Sequence, residues 1–121
     1  MANKILIAED EPHIVESLSF ILKRAGFTVS TVTDGNLVIS HIRELKPDAV
    51  ILDLMLPGQT GYQILKTMRA SADIAHVSVL MLTAKGQEQD RLTAERLGVD
   101  AFITKPFSNK EVVACIEKLT T

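Results

Sequence analysis

Apolar residues in this chain follow two alternating spacings. Apolar-rich runs occur at Ile5-Leu6-Ile7-Ala8, at Ala49-Val50-Ile51-Leu52, over residues 77–82 and at Ala101-Phe102-Ile103. Their length and β-rich character suit parallel strands buried on both faces. Between these runs, apolar residues recur every three or four positions, as one face of a helix requires. Ile14, Leu18, Ile21 and Leu22 mark such a face on a helix over about residues 12–25. Pro12 suits its first turn and Gly26 its C-terminal cap. After a strand at Thr28–Val32, Asp34 can cap a helix carrying Leu37, Ile39, Ile42 and Leu45, which Pro47 stops. A strand over 48–52, the turn Pro57-Gly58 and a helix capped by Thr60 and carrying Ile64, Leu65 and Met68 come next. The strand at 77–82 precedes a more polar helix, roughly 87–97, ended by Gly98. A strand over 100–104 leads to Pro106-Phe107 and a last helix, where Ser108 and Glu111 have capping-box spacing. With the first strand at Lys4–Ala8, the pattern predicts an α/β fold of five β–α units. This is a doubly wound parallel sheet with right-handed crossovers and helices on both faces.

The 121 residues, 46% hydrophobic and 23% charged, predict a single domain, 1–121, able to build a core without staples. Net charge is −2 with acids and bases interspersed, so no basic face for direct nucleic-acid binding is expected. No apolar run is long enough to cross a bilayer, and the first eight residues lack a signal-peptide layout, so no membrane partner is expected. Cys115 stands alone, on a stripe with Val112, Ile116 and Leu119, which excludes a disulfide framework and fits a reducing cytoplasm. His13, His41 and His76 are dispersed without metal-ligand spacing and read as solvated or partly packed.

The chemistry sits where the apolar runs stop. They end in Glu9-Asp10, in Asp53, in Thr83 and in Lys105-Pro106, and the ligand crevice of an open α/β sheet lies outside the carboxyl ends of its strands. Taken singly, an acid at a strand end is more often a cap or turn residue, and a lysine in a turn is usually solvated. Three acids on adjacent strand ends repel one another, and a divalent cation makes that arrangement tolerable. Oxygen-only ligands with open positions favour Mg²⁺, which accepts phosphate oxygens. Lys105 can pair with a carboxylate at rest and with a phosphoryl group after transfer. Pro106 can fix the direction of that lysine, as a cis peptide if the turn demands it, and Thr83 offers a hydroxyl donor.

Taken as an ordered set, Glu9-Asp10, Asp53-Leu54-Met55-Leu56-Pro57-Gly58 with Gly61, Thr83-Ala84, Gly98-Val99-Asp100-Ala101-Phe102 and Lys105-Pro106-Phe107 resemble the receiver domain of two-component response regulators. The resemblance covers the whole chain and implies a flavodoxin-like sheet with strand order 2-1-3-4-5. It implies that Asp53 is the phosphoacceptor. Mg²⁺ would be held by Asp10, Asp53 and the Met55 carbonyl, with Glu9 acting directly or through water. Lys105 and Thr83 would hold phosphoryl oxygens, and Phe102 would turn as Thr83 moves, forming with Pro106 a switch next to the site. Met55 and Lys85 fall at variable positions that tune the lifetime of the acyl phosphate. The implied partners are a sensor histidine kinase or phosphotransfer protein and a downstream protein or effector domain.

Two other classes fit less well. A phosphohydrolase with an aspartyl nucleophile would need a second Asp two residues on, where Met55 stands. A flavin- or nucleotide-binding module would need a phosphate-cradling loop after the first strand, where Glu9-Asp10-Glu11 would repel phosphate. Asp100-Ala101-Phe102, Cys115 and Glu117 depart from the charges a symmetric receiver dimer of the transcription-factor class uses. A mostly monomeric domain is therefore expected; since the sequence ends at Thr121 without an effector, a stand-alone regulator is the first expectation and the receiver of a larger protein the second.

Overall fold

The computed structural model describes residues 3–84 and 88–121. Lys85, and residue 87 where the fourth helix was expected to start, lie outside the described residues. The strands are β1 (Lys4–Ala8), β2 (Thr28–Val32), β3 (Ala49–Asp53), β4 (Ser78–Thr83) and β5 (Ala101–Thr104). The helices are α1 (Pro12–Arg24), α2 (Val38–Leu45), α3 (Gly61–Ala70), α4 (Glu88–Arg96) and α5 (Asn109–Thr120). All pairings are parallel and the sheet order is β2-β1-β3-β4-β5, as the resemblance implied.

Strand alternation divides the core in two. Leu6, Val50, Leu52, Val79 and Met81 meet Val38 and Ile42 of α2, Ile64, Leu65 and Met68 of α3, and Ala94 of α4. Ile5, Ile7, Ala49, Ile51, Leu80, Leu82 and Ile103 meet Leu18 and Leu22 of α1 and Val112 and Ile116 of α5. The central strands are apolar on both sides because both sides are covered. Full burial of each Leu or Ile contributes roughly 1.5–3 kcal/mol.

Several element ends differ from the sequence expectation. β3 and β4 each begin and end one residue later than apolarity suggested, so that Asp53 and Thr83 are the last strand residues. The reason is backbone pairing, which ignores side-chain polarity: Asp53 is in register with Leu82 and Thr83 with Thr104. β5 begins one residue later, at Ala101, and α1 ends at Arg24 with Ala25 as its cap. The helix expected after Asp34 opens as a 3₁₀ turn, Gly35–Leu37, with the Asp34 carboxylate accepting from the Asn36 N–H at 2.9 Å. The reciprocal capping box forms at Thr60–Gln63 on α3, while Ser108 caps α5 by accepting from the Glu111 N–H.

Candidate functional site

The carboxyl ends of β1, β3, β4 and β5 bring the expected residues together. Glu9 continues β1 by donating its N–H to the Val32 carbonyl, and Lys105 continues β5 by donating its N–H to the Thr83 carbonyl at 2.8 Å. Carboxylate oxygens of Glu9, Asp10 and Asp53 lie within 4.8 Å of one another. Glu9 and Asp53 are buried and Asp10 is exposed at the rim. Glu9 Oε2 accepts the backbone N–H groups of Asp10 and Glu11, at 2.9 and 3.1 Å, which holds the carboxylate in place.

Lys105 supplies the opposing charge. Its Nζ lies 2.8 Å from Glu9 Oε1 and 3.6 Å from Asp53 Oδ2. Glu9 Oε1 is therefore held by its ion pair with Lys105, with no other partner among the described residues. Burial pushes the Glu9 carboxyl above its ordinary range. Its contact with Asp53 pushes the same way, and the Lys105 contact only partly opposes them. Burial pulls the Lys105 ammonium down, but the carboxylates of Glu9 and Asp53 outweigh it and leave it raised. Among the described residues one ammonium faces three carboxylates, an excess of negative charge that fits a divalent cation and its bound waters.

Gly61 brings α3 against the site. A Cβ there would lie 2.8 Å from Leu54 Cα and 2.9 Å from the Asp53 carbonyl, so only glycine allows the Gly61 N–H to reach the Leu54 carbonyl at 2.8 Å. Gly58, at φ +90°, makes the turn that leads there. The Met55 N–H donates to Asp53 Oδ1 at 3.2 Å, and its side chain is 54% exposed. Thr83 is buried, and the Lys105–Pro106 peptide is cis.

By strand parity Asp53 belongs to the α1–α5 side of the sheet, with Ile51, and Thr83 to the α2–α4 side, with Met81. Phe102, opposite Met81 in register, is half-buried on that same side. Among the described residues no histidine joins the carboxylate cluster, although His13 lines a depression beside Lys105; burial raises the Cys115 thiol pKa, as befits a packed cysteine.

Sequence reasoning missed two polar links on the α3–α4 side. The Tyr62 hydroxyl donates toward the Asp90 carbonyl and Oδ1, each at 3.1 Å. Arg69 donates to the carbonyls of Gly98, Ala75 and Val77 and to Asp100 Oδ2. The partners of the first link are 28 residues apart and those of the Arg69–Asp100 pair 31, beyond any local pattern.

The sequence matches the response regulator receiver domain family over residues 5–117, and the chain belongs to that family. It is 42% identical over 117 residues to the phosphate regulon transcriptional regulatory protein PhoB of Klebsiella pneumoniae, covering 97% of this chain and 51% of that protein. PhoB of Escherichia coli matches at 41% over 117 residues, with the same coverage. The chain thus spans about half the length of the curated relatives it matches. Among solved structures, a DNA-binding response regulator of the LuxR family from Staphylococcus aureus superposes with a TM-score of 0.90 at 27% identity, over 98% of this chain and 99% of that one. The chemotaxis response regulator CheY4 of Vibrio cholerae shares the fold, with a TM-score of 0.91 at 24% identity over 98% and 99% of the two chains. The chain is a signalling domain rather than a member of a classical enzyme family, and the phosphohydrolase reading is not favoured. Among the described residues no helix is long and apolar enough to cross a membrane.

Proposed function

We propose that Asp53 accepts a phosphoryl group from a phosphohistidine or a small acyl phosphate. The observation that carries this reading is the triad Glu9, Asp10 and Asp53 facing the ammonium of Lys105. An Asp53 carboxylate oxygen attacks phosphorus, the bond from phosphorus to the donor breaks, and its electron pair leaves with the imidazole or carboxylate. Glu9, Asp10, Asp53 and the Met55 carbonyl would hold Mg²⁺, which when bound neutralises charge on the transferring oxygens. Lys105 exchanges a carboxylate partner for a phosphoryl oxygen, and Thr83 donates its hydroxyl to another. A depression of about 570 Å³ lined by His13, Ile14, Ser17, Pro106 and Phe107 adjoins Lys105 and leaves room for the donor to approach. The domain promotes only its own phosphorylation and the later hydrolysis of its acyl phosphate.

The histidine kinase or phosphotransfer partner, a cytoplasmic location and signalling through the face built by α4, β5 and α5 belong to the same reading. Thr83 moving toward the phosphoryl group would let Phe102 turn inward. The activated domain stays mostly monomeric and acts on a separate protein. The identity to PhoB supports a second reading of the output, in which the domain governs the transcription-regulating part of a longer protein.

The test is intact-mass spectrometry after incubation with acetyl phosphate, with and without Mg²⁺. The wild type gains one phosphoryl group only with Mg²⁺, and Asp53→Asn gains none. Equal labelling of both proteins would falsify the assignment.

A further inference from the structure

Helix α4 is held differently at its two ends. At its C-terminal end Arg69 grips the following loop, through the Gly98 carbonyl at 2.9 Å and Asp100 Oδ2 at 2.8 Å. The same guanidinium is anchored on the Ala75 and Val77 carbonyls, and Asp100 Oδ2 also accepts the Val79 N–H of β4. That end is tied into the sheet by a network that shares donors and acceptors. Among the described residues the first turn of α4 has a lighter tie, the hydroxyl of Tyr62 on α3, shared between the carbonyl and the carboxylate of Asp90.

Little apolar burial backs up these ties. Ala94 is the one buried residue of α4, and Leu92 is 47% exposed. Glu88, Arg91 and Glu95 pair with one another along the helix and add nothing across it. A helix held by so little buried surface moves at low cost once its polar tether opens.

We propose that Tyr62 is a latch that holds the first turn of α4 in its resting position and opens when Asp53 is phosphorylated, so that α4 swings about its Gly98 end. The switching half of this inference rests on Asp53 being the phosphoacceptor. β4 ends at Thr83 and α4 begins at Glu88, so a pull on Thr83 reaches the first turn of α4 before it reaches Gly98. Tyr62 is the second residue of α3, directly after Gly61, whose N–H is bonded to the Leu54 carbonyl. The phenol is therefore mounted on the backbone next to Asp53 and reaches across to the helix that follows Thr83. Opening the latch alters the α4 surface, and a partner that binds one position better than the other reads it as signal.

Tyr62 is the single tyrosine and the chain has no tryptophan, so tyrosine emission reports on this one side chain. A phenol donating to a carboxylate is quenched. Saturating the wild type with Mg²⁺ and beryllofluoride should therefore raise its emission. Unchanged emission, with binding verified by ¹⁹F NMR, overturns the latch. Tyr62→Phe, which keeps the ring and removes the hydroxyl, should bind beryllofluoride about 3- to 10-fold tighter, because the resting state loses one net hydrogen bond. Equal or weaker binding overturns the proposal, since a merely structural tyrosine would leave this affinity unchanged. A third measurement needs neither metal nor mimic. Amide exchange along Glu88–Arg96 should rise several-fold in Tyr62→Phe while β3 amides stay protected; exchange equal to wild type rules out the tether. Failure of beryllofluoride to bind either protein overturns the Asp53 reading and the coupling with it, whereas the exchange result judges the tether on its own.

Discussion

α3 and α4 are neighbours on one face of the sheet, with ten and nine residues, yet they are attached by opposite means. α3 buries Gly61, Ile64, Leu65 and Met68 and carries a complete capping box. α4 buries Ala94 and relies on Tyr62 before it and Arg69 behind it. The difference follows from how the two kinds of attachment respond to movement. Apolar burial is nondirectional and scales with area, so a shift of α3 would expose surface all along it. A hydrogen bond to a phenol is directional and opens over a fraction of an ångström. The helix after Asp53 is thus built to stay and the helix after Thr83 to move.

The largest test of this contrast is Leu65→Ala. It leaves a cavity between α3 and the sheet and should cost about 2–5 kcal/mol, read from urea or thermal unfolding. A loss under about 1 kcal/mol would break the contrast on the α3 side.

A middle-sized effect belongs to the tether. The Tyr62 hydroxyl is pushed up to about 12, first by burial and then by the Asp90 carboxylate. Because the folded value is raised, its contribution to stability is complete below the unfolded value of 10.0 and is lost as pH rises through the folded one. Absorbance titration of the single phenolate should show the raised midpoint, and Asp90→Asn should lower it. A midpoint at the ordinary tyrosine value in the wild type would show that Tyr62 is not bonded to α4 in solution.

Leu92→Ala should have the smallest effect, within about 0.5 kcal/mol, since the side chain is exposed. A cost comparable to that of Leu65→Ala would mean that α4 is anchored by apolar contact after all.

Much of the site was legible along the chain because polarity interrupts apolar runs where strands end. Glu9, Asp53, Thr83 and Lys105 stood out for that reason, and the topology brings them to one edge. The same signal misplaced the ends of β3 and β4 by one residue, since apolarity stops at Leu52 and Leu82 while pairing continues through Asp53 and Thr83. Near Asp34, helical spacing hid a 3₁₀ turn, because Leu37 fits either geometry and is 48% exposed. Metal-ligand spacing among the histidines was absent from the sequence, and it gave no sign that the fold would set His13 in the depression beside Lys105.

The sequence by itself determined the number and type of elements, the sheet class and the set of chemical groups at its carboxyl edge. These follow from local periodicity and from where it is broken. Tertiary structure alone decided that Lys105 rests nearest Glu9, that Asp53 and Thr83 belong to opposite sides of the sheet, and that Tyr62 and Arg69 hold the two ends of α4. Each of these is a directional contact between residues far apart in the chain, and its energy depends on distances that exist only once the helices have packed on the sheet.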